Sequence, residues 1–437
     1  VRVVVIGAGL AGLTAAERLV ESGAEVCVLE GGSRVGGRAR TVADVFSAGQ
    51  VAESGAEWVD TDHVRMLGLI RRFGLQLEGE GQVWTVLRRL LHRHGQLHDA
   101  TSLRRLAPTL TDELDAYAQL FERMAAGIVD PSAPQLHPDA ALIDSRSMAD
   151  VAAAAGLGEV ALLFADRNAQ GEFAEERAGV SALFVAQQRA LQATSDHEVR
   201  AHRVRGGMSQ IAVALAAGLP DAVVRLGQPV DRVRWWDDGA EVHAGHQVLE
   251  ADRVIVACAL PAARRITFDP PLPQPLDAAV RELGYGTVTK TALQFAARSW
   301  PVGYTNTDLP SQRVYEPTID QPGDAGILMA YTGGDGGRRL AALDEAQRMA
   351  GVAGDMQSMF GLGAPLGGFS RAWSAEPRFG GSYAAYRPGQ VTAHWAALRV
   401  GYGPIRLAGE HVATCTGYLE GAVESGETVA EWAIGTH

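Results

Sequence analysis

The chain has 437 residues, 47% of them hydrophobic and 21% charged, with a formal net charge of −12. That length exceeds one ordinary core, so two joined domains are expected, and the acidic balance excludes a nucleic-acid binder, which needs clustered cations against phosphate. The three cysteines, Cys27, Cys258 and Cys415, lie far apart without metal-ligand spacing, so no metal site and no disulfide framework is expected.

Residues 1–6 form a β-branched run of the kind buried on both faces of a sheet. A chain opening on such a strand is expected to carry no signal peptide, and a cytoplasmic setting follows as the expectation. Gly7-Ala8-Gly9-Leu10-Ala11-Gly12 comes next, then a helical stretch to about residue 21 and a second strand over 25–29 that ends at Glu30. In this strand–turn–helix–strand setting each glycine has a task. Gly7 permits the tight turn, Gly9 lets a pyrophosphate approach the backbone, and Gly12 lets helix and strand pack closely. The helix start at Leu10 and Ala11 turns its partial positive charge towards the phosphates, and Glu30 is suited to accept from a ribose diol.

Gly31-Gly32-Ser33-Arg34-Val35-Gly36-Gly37-Arg38 follows directly. A second glycine-rich, arginine-bearing loop at this point has no use in an NAD enzyme; a pyrophosphate that continues into a flavin gives it one. Residues 64–203 are richer in helical patterns. The most apolar stretch, 151–165, is broken by Glu159 and closed by Asp166, too short and too charged to span a bilayer. Strands return at 223–226, 230–236 and 253–258, with a hairpin at Asp237-Asp238-Gly239. Pro270-Pro271-Leu272-Pro273 punctuates the chain, and 287–295 alternates like a strand. A short strand at 405–409 and a helix from about 421 complete the pattern. The expected division is a nucleotide-binding domain over 1–75, 203–275 and 395–437, with a second domain inserted as 76–202 and 276–394.

Nearly every basic residue is arginine, and Lys290 is the only lysine. A GC-rich, bacterial genome would favour arginine codons; the one position that stayed lysine is a candidate for chemistry that a guanidinium cannot do. Burial on an apolar strand would disfavour its charge.

Together these segments resemble the flavin-containing amine oxidases, from the first residue to the last thirty; the likeness is thin only around 76–200. The 31–38 loop is similar to the family's glycine-doublet signature. By that likeness Arg38 pairs with the diphosphate, Gly31, Gly36 and Gly37 make room for it, and Gly32 stands where relatives often carry an arginine. Glu53-Ser54-Gly55-Ala56-Glu57-Trp58-Val59 resembles the segment passing beneath the flavin, with Gly55 and Ala56 close to it and Glu57 and Trp58 turned to the ring or the substrate cavity. Glu57 is left open as an anchor for a cationic substrate, a base, or a surface acid. Gly286-Thr287-Val288-Thr289-Lys290 resembles the strand of the family's active-site lysine, which holds a water near flavin N5 and aids reoxidation.

In the segment from Trp373 to Tyr383, Ser382 falls where the monoamine oxidases have their flavin-bonded cysteine, so the resemblance implies a non-covalent FAD, with Tyr383 as one wall of an aromatic cage. Leu407 to Gly426 resembles the C-terminal signature. Gly409 and Glu410 would meet the ribityl and diphosphate region; Gly417, Leu419 and Ala422 would lie by the flavin, and Tyr418 would be the second cage wall. Val230 would lend backbone groups to adenine.

The implied fold is α/β, a Rossmann-like FAD-binding domain with an inserted α+β substrate domain. The implied activity is hydride transfer from a carbon–nitrogen bond to flavin N5, giving an imine, with O2 returning as hydrogen peroxide. Partners would be a small amine and O2, with neither nucleic acid nor membrane; a homodimer is allowed. The alternatives are an L-amino-acid oxidase, for which no carboxylate-binding arginine is assigned, a tailoring oxidase of a secondary amine or amide, and a flavin-holding interaction protein without chemistry.

Overall fold

The computed structural model describes residues 1–81, 89–195 and 197–435. Three sheets organise it. A five-stranded parallel sheet runs in the order Ile405–Leu407, Arg253–Val256, Arg2–Ile6, Glu25–Glu30, Val224–Leu226. The β-branched run takes the central position, and Val3, Val4 and Val5 are all buried, as a strand covered on both faces requires. The helices Leu10–Glu21 and Leu419–Ala433 pack against each other beside this sheet, closely enough that a Cβ on Gly426 would stand 2.5 Å from the Ala11 carbonyl oxygen.

A four-stranded sheet joins Gln247–Ala251, Gly239–Ala244, Val230–Trp236 and Thr267–Asp269. The expected hairpin is there: Trp236 pairs with Gly239 across Asp237 and Asp238. The proline segment then leads into the helix Gln274–Glu282 and on to the lysine strand.

The third sheet has seven strands, in the order Gly367–Ala372, Val288–Phe295, Gly326–Gly333, Arg313–Tyr315, Tyr304–Thr307, Arg89–Arg93, Gln96–His98. Val288–Phe295 is flanked on both sides, and all eight of its residues are buried. The alternation in its sequence therefore does not mark a wet face. Its polar residues are spent inside: Thr289 Oγ1 donates to the Gly337 carbonyl, and Thr291 shares a hydrogen bond with Ser370. Helices such as Leu110–Ala125, Glu159–Asn168 and Ala182–Gln192 fill the stretch expected to be helical; residues 82–88 and 196, inside that span, lie outside the described residues.

Several boundaries differ from the sequence pattern, among them the strand expected over 405–409, which ends at Leu407. The strand expected to reach Cys258 ends at Val256, and the next residues turn into the large cavity. The last helix starts at Leu419, two residues before Gly421, with Tyr418 as its extended N-cap. Gly421 serves a close approach instead: a Cβ there would stand 2.0 Å from the Cys415 carbonyl oxygen. Among the described residues no helix is long and apolar enough to cross a membrane.

Candidate active site

One cavity of about 620 Å³ runs from the end of the second strand to the middle of the lysine strand. At its first end, Gly7 has φ +109°, and a Cβ there would press at 3.2 Å on the backbone of Ala257 and Cys258. A Cβ on Gly9 would meet nothing within 4 Å, so this face of the turn opens into the cavity. Gly9 is also the N-cap of the first helix and offers no side chain to its free amides. Bare amides and a dipole end facing a cleft suit an anion. Gly12 is not on the wall; a Cβ there would lie 2.0 Å from the Gly7 carbonyl oxygen, so its part is the packing of helix on strand.

Glu30 braces the turn. Its carboxylate accepts from the amides of Ala8 (2.9 Å) and Gly32 (2.7 Å) while lining the cavity beside Gly31. Arg34 Nη2 donates to the Gly37 carbonyl at 2.6 Å and so folds the second glycine loop. Burial, with the neighbouring Arg40, Arg371 and Arg378, lowers the Arg34 guanidinium to about 10.

Arg38 donates through Nη1 to Glu410 (2.9 Å) and to the Ser382 carbonyl. Glu410 also accepts from the Tyr285 hydroxyl at 2.9 Å and from the amides of Gly417 and Ala384. Burial pushes its carboxyl up, but Arg38, His411 and these hydrogen bonds together hold it below its ordinary range. Both of its oxygens are engaged by protein donors. It holds Arg38 at the wall and, with Gly409, itself lines the cavity.

At the other end stands Lys290. Its Nζ donates to Glu57 Oε2 at 2.7 Å and to the Gly55 carbonyl at 3.0 Å, with 3% of the lysine exposed. Glu57 accepts also from Arg203 Nε at 2.6 Å and from the Tyr315 hydroxyl. Burial works against its charge, yet Lys290 and Arg203 bring the carboxyl down to about 2. A carboxylate so held is a poor base, and although Glu57 lines the cavity its oxygens accept from Lys290, Tyr315 and Arg203. Pairing with Glu57 offsets the burial that disfavours the charge of Lys290. The sequence neighbour Trp58 does not line the cavity. It lies beneath the Arg203 guanidinium, 3.9 Å from ring centroid to Cζ, in the apolar cluster of Ala52 and Tyr315.

Tyr383 and Tyr418 line the same cavity as Lys290, although they come from a loop and a helix cap 35 positions apart. The Tyr383 hydroxyl bonds the Gly171 carbonyl (3.2 Å) and the Tyr331 hydroxyl (2.8 Å). Tyr418 meets His63 edge to face at 5.4 Å. Gly55 explains how the segment beneath comes so near: a Cβ there would fall 1.8 Å from the Arg38 carbonyl oxygen. Leu10, Ala11, Gly36, Gly37, Ala56, Val230, Gly409, Gly417, Leu419 and Ala422 line the cavity as expected.

Sequence reasoning missed Tyr331, Trp373 and Arg203. Tyr331 is the cross-strand partner of Lys290, and Trp373 donates its indole N–H to the Ser54 carbonyl at 2.7 Å under the flavin-side segment. Trp373 opened a motif already singled out, so a role could have been assigned. The other two depend on strand register and on a pairing across 146 positions.

A glycine turn with free amides, suited to an anion, is thus joined by one cavity to a buried lysine and two tyrosines. Comparison with known proteins identifies the class. The family model for flavin-containing amine oxidoreductases matches residues 10–434, and the chain belongs to that family. It is a flavin-dependent oxidoreductase acting on carbon–nitrogen bonds of small amine-type molecules. Similar sequences include an L-amino acid oxidase of Bothriechis schlegelii, 28% identical over 98% of this chain and 89% of the relative, and one of Mus musculus, 28% identical over 97% and 69%. Among solved structures, wild-type putrescine oxidase bound to putrescine superposes with a TM-score of 0.87 at 25% identity, covering 99% of each chain. Cyclohexylamine oxidase from Brevibacterium oxydans, at 23% identity and a TM-score of 0.87, shares the fold.

Proposed function

We propose that this chain holds FAD without a covalent bond and oxidises a small cationic amine, with O2 as the final acceptor and hydrogen peroxide as a product. The observation that carries the reading is a single cavity lined by Glu30 and both glycine loops at one end and by Lys290, Tyr383 and Tyr418 at the other. The open face of Gly9 and the cation of Arg38 fit a diphosphate, and the length of the cavity fits a dinucleotide that ends in a ring system. The sheets suit the expected division: all strands of the parallel sheet fall in 1–75, 203–275 and 395–437, and all strands of the seven-stranded sheet in 76–202 and 276–394.

Bound FAD supplies a hydride acceptor for the substrate carbon and a carrier of electrons to O2. The protein supplies placement. Tyr383 and Tyr418 offer two aromatic faces to the amine, and Tyr331 with the Gly171 carbonyl fixes the tilt of Tyr383. Burial and neighbouring charge raise both phenols well above their ordinary value, so the cage stays uncharged. Lys290 spends two of its N–H donors on Gly55 and Glu57, leaving the third for a water or for reduced oxygen. Glu57, clamped by Arg203 and Tyr315, keeps that amine aimed at the cavity.

A non-covalent cofactor is supported by the nucleophiles present. Ser382 donates its hydroxyl to the Gly286 carbonyl; burial raises the Cys258 thiol to about 12, and Cys415 is off the cavity wall. The choice of amine over amino acid is supported by charge. Glu172, Asp60 and Asp62 all act on Tyr418 and give its surroundings a negative character that suits a cationic amine. Arg313, the strand neighbour of Tyr331 on its other side from Lys290, is committed to Asn306 and to the Arg167 carbonyl. An amino-acid substrate needs a free arginine for its carboxylate.

The test is anaerobic titration of the yellow protein with mono- and diamines and with neutral amino acids, followed by air. Bleaching by amines, recovery in air and release of peroxide are expected. Bleaching by amino acids alone would transfer the reading to an L-amino-acid oxidase, and no bleaching by any amine, amino acid or amide would leave a flavin-holding protein.

A further inference from the structure

Gly32 leaves a gap in the cavity wall beside Glu30, and another segment fills it. A Cβ on Gly32 would lie 3.5 Å from Arg378 Nε and 3.8 Å from its Cζ; a Cβ on Gly31 would lie 3.9 Å from Arg378 Cδ. Arg378 thus reaches over the glycine pair from a loop 346 positions further along the chain, and it lines the cavity with Glu30, Gly31 and Val230. Among the described residues it makes no hydrogen bond and no ion pair.

The loop that carries it is nonetheless fastened on every side. Arg265 Nη1 donates to the Pro377 carbonyl at 2.6 Å, Arg371 pairs with Glu376, and Phe379 packs edge to face on Trp373 at 5.0 Å. Gly380 closes the turn with φ +64°. A loop pinned this firmly while its one long cation has no partner is built to present that cation. The charge around it argues the same way. Arg34, Arg40, Arg371 and Arg378 repel one another, and the repulsion helps to lower Arg34. A gathering of guanidiniums beside a cleft becomes favourable when an anion sits among them.

We propose that Arg378 is a cofactor-binding residue: it closes over the adenosine-phosphate half of the dinucleotide, supplying from the inserted domain the cation that Gly32 cannot, with Arg265 as its positioning arm. The proposal rests on the FAD reading above. It also makes cofactor retention depend on the loop 376–380, which belongs to the part of the chain that carries Tyr383.

The test is the affinity of flavin-stripped protein for FAD and for FMN, which lacks the adenosine-phosphate half, read by quenching of flavin fluorescence in wild type and in Arg378→Ala. Loss of a charged hydrogen bond predicts an FAD Kd raised about tenfold or more, with the FMN Kd unchanged. Arg378→Lys should recover most of the difference, and the unfolding midpoint of the stripped protein should not move, because Arg378 touches no partner in it. An unchanged FAD Kd in Arg378→Ala would overturn the proposal, as would FAD and FMN weakening together. Wild type that takes up neither flavin would overturn the FAD reading itself, an outcome told apart by the wild-type titration alone.

Discussion

Lys290 and Glu57 sit 2.7 Å apart, their side chains 3% and 2% exposed. The pair survives because it is over-determined. Arg203 and Tyr315 complete the carboxylate, and the Gly55 carbonyl takes a second N–H of the lysine. The distinction matters for what each residue can do. The carboxylate is saturated and structural, while the lysine keeps one donor for the cavity.

Replacing the lysine separates those parts. Lys290→Met should slow reoxidation of the reduced flavin by O2 by about tenfold or more while amine binding changes little. Stopped-flow mixing of the bleached protein with oxygen reads this directly; unchanged oxygen kinetics would remove Lys290 from the mechanism.

Glu57→Gln should destabilise the protein in a way that depends on pH. The Glu57 carboxyl is lowered to about 2 in the folded chain from an ordinary 4.5, because Lys290 and Arg203 outweigh its burial. A lowered carboxyl contributes stability that is full above about pH 4.5 and is lost as pH falls through the folded value. Urea midpoints of wild type and variant should therefore lie well apart near neutrality, draw together below about pH 4.5 and meet only towards about pH 2.

Glu78 gives the opposite sign. Burial raises its carboxyl to about 7, and its Oε2 has no hydrogen-bond partner. Folding favours its protonated form, so a penalty grows as pH rises from about 4.5 and is complete above about 7. Glu78→Gln should raise the thermal midpoint at about pH 8 and leave it nearly unchanged at about pH 5.

At the cage, Tyr383→Phe keeps the ring and loses the bonds to Tyr331 and Gly171, whereas Tyr383→Ala loses the wall. We expect the first to keep most of the amine kcat/KM and the second to lose about tenfold or more. Equal losses in steady-state assays would mean that the hydroxyl, and not the aromatic face, matters.

Precipitation with acid should release the flavin into the supernatant, since Ser382 is occupied with Gly286 and Cys415 lies off the cavity. Colour staying with the pellet would reveal a covalent link.

How much of this was legible in the chain follows from how local each feature is. The glycine turn, Glu30 and the 31–38 loop are set by spacing within one strand–helix–strand unit, and they stand where the spacing puts them. Lys290 was legible as the sole lysine, but its partner was not, since Glu57 is 233 positions away and meets it only through tertiary packing. Trp58 was read with Glu57 because the two are adjacent, yet adjacent side chains in extended backbone diverge, and this one turned to Arg203. The alternation of 288–295 could not announce that strands flank it on both sides. Tyr331 and Arg378 reach the cavity through register and a long loop, neither of which is written in local pattern.

The uncapped start of the first helix and that of the last, which follows Tyr418, both border the same cavity although 409 positions separate them. A ribosome therefore releases the second of these walls long after the first. Loading must wait until both walls have been made, and messages cut short before residue 405 would yield protein that never turns yellow.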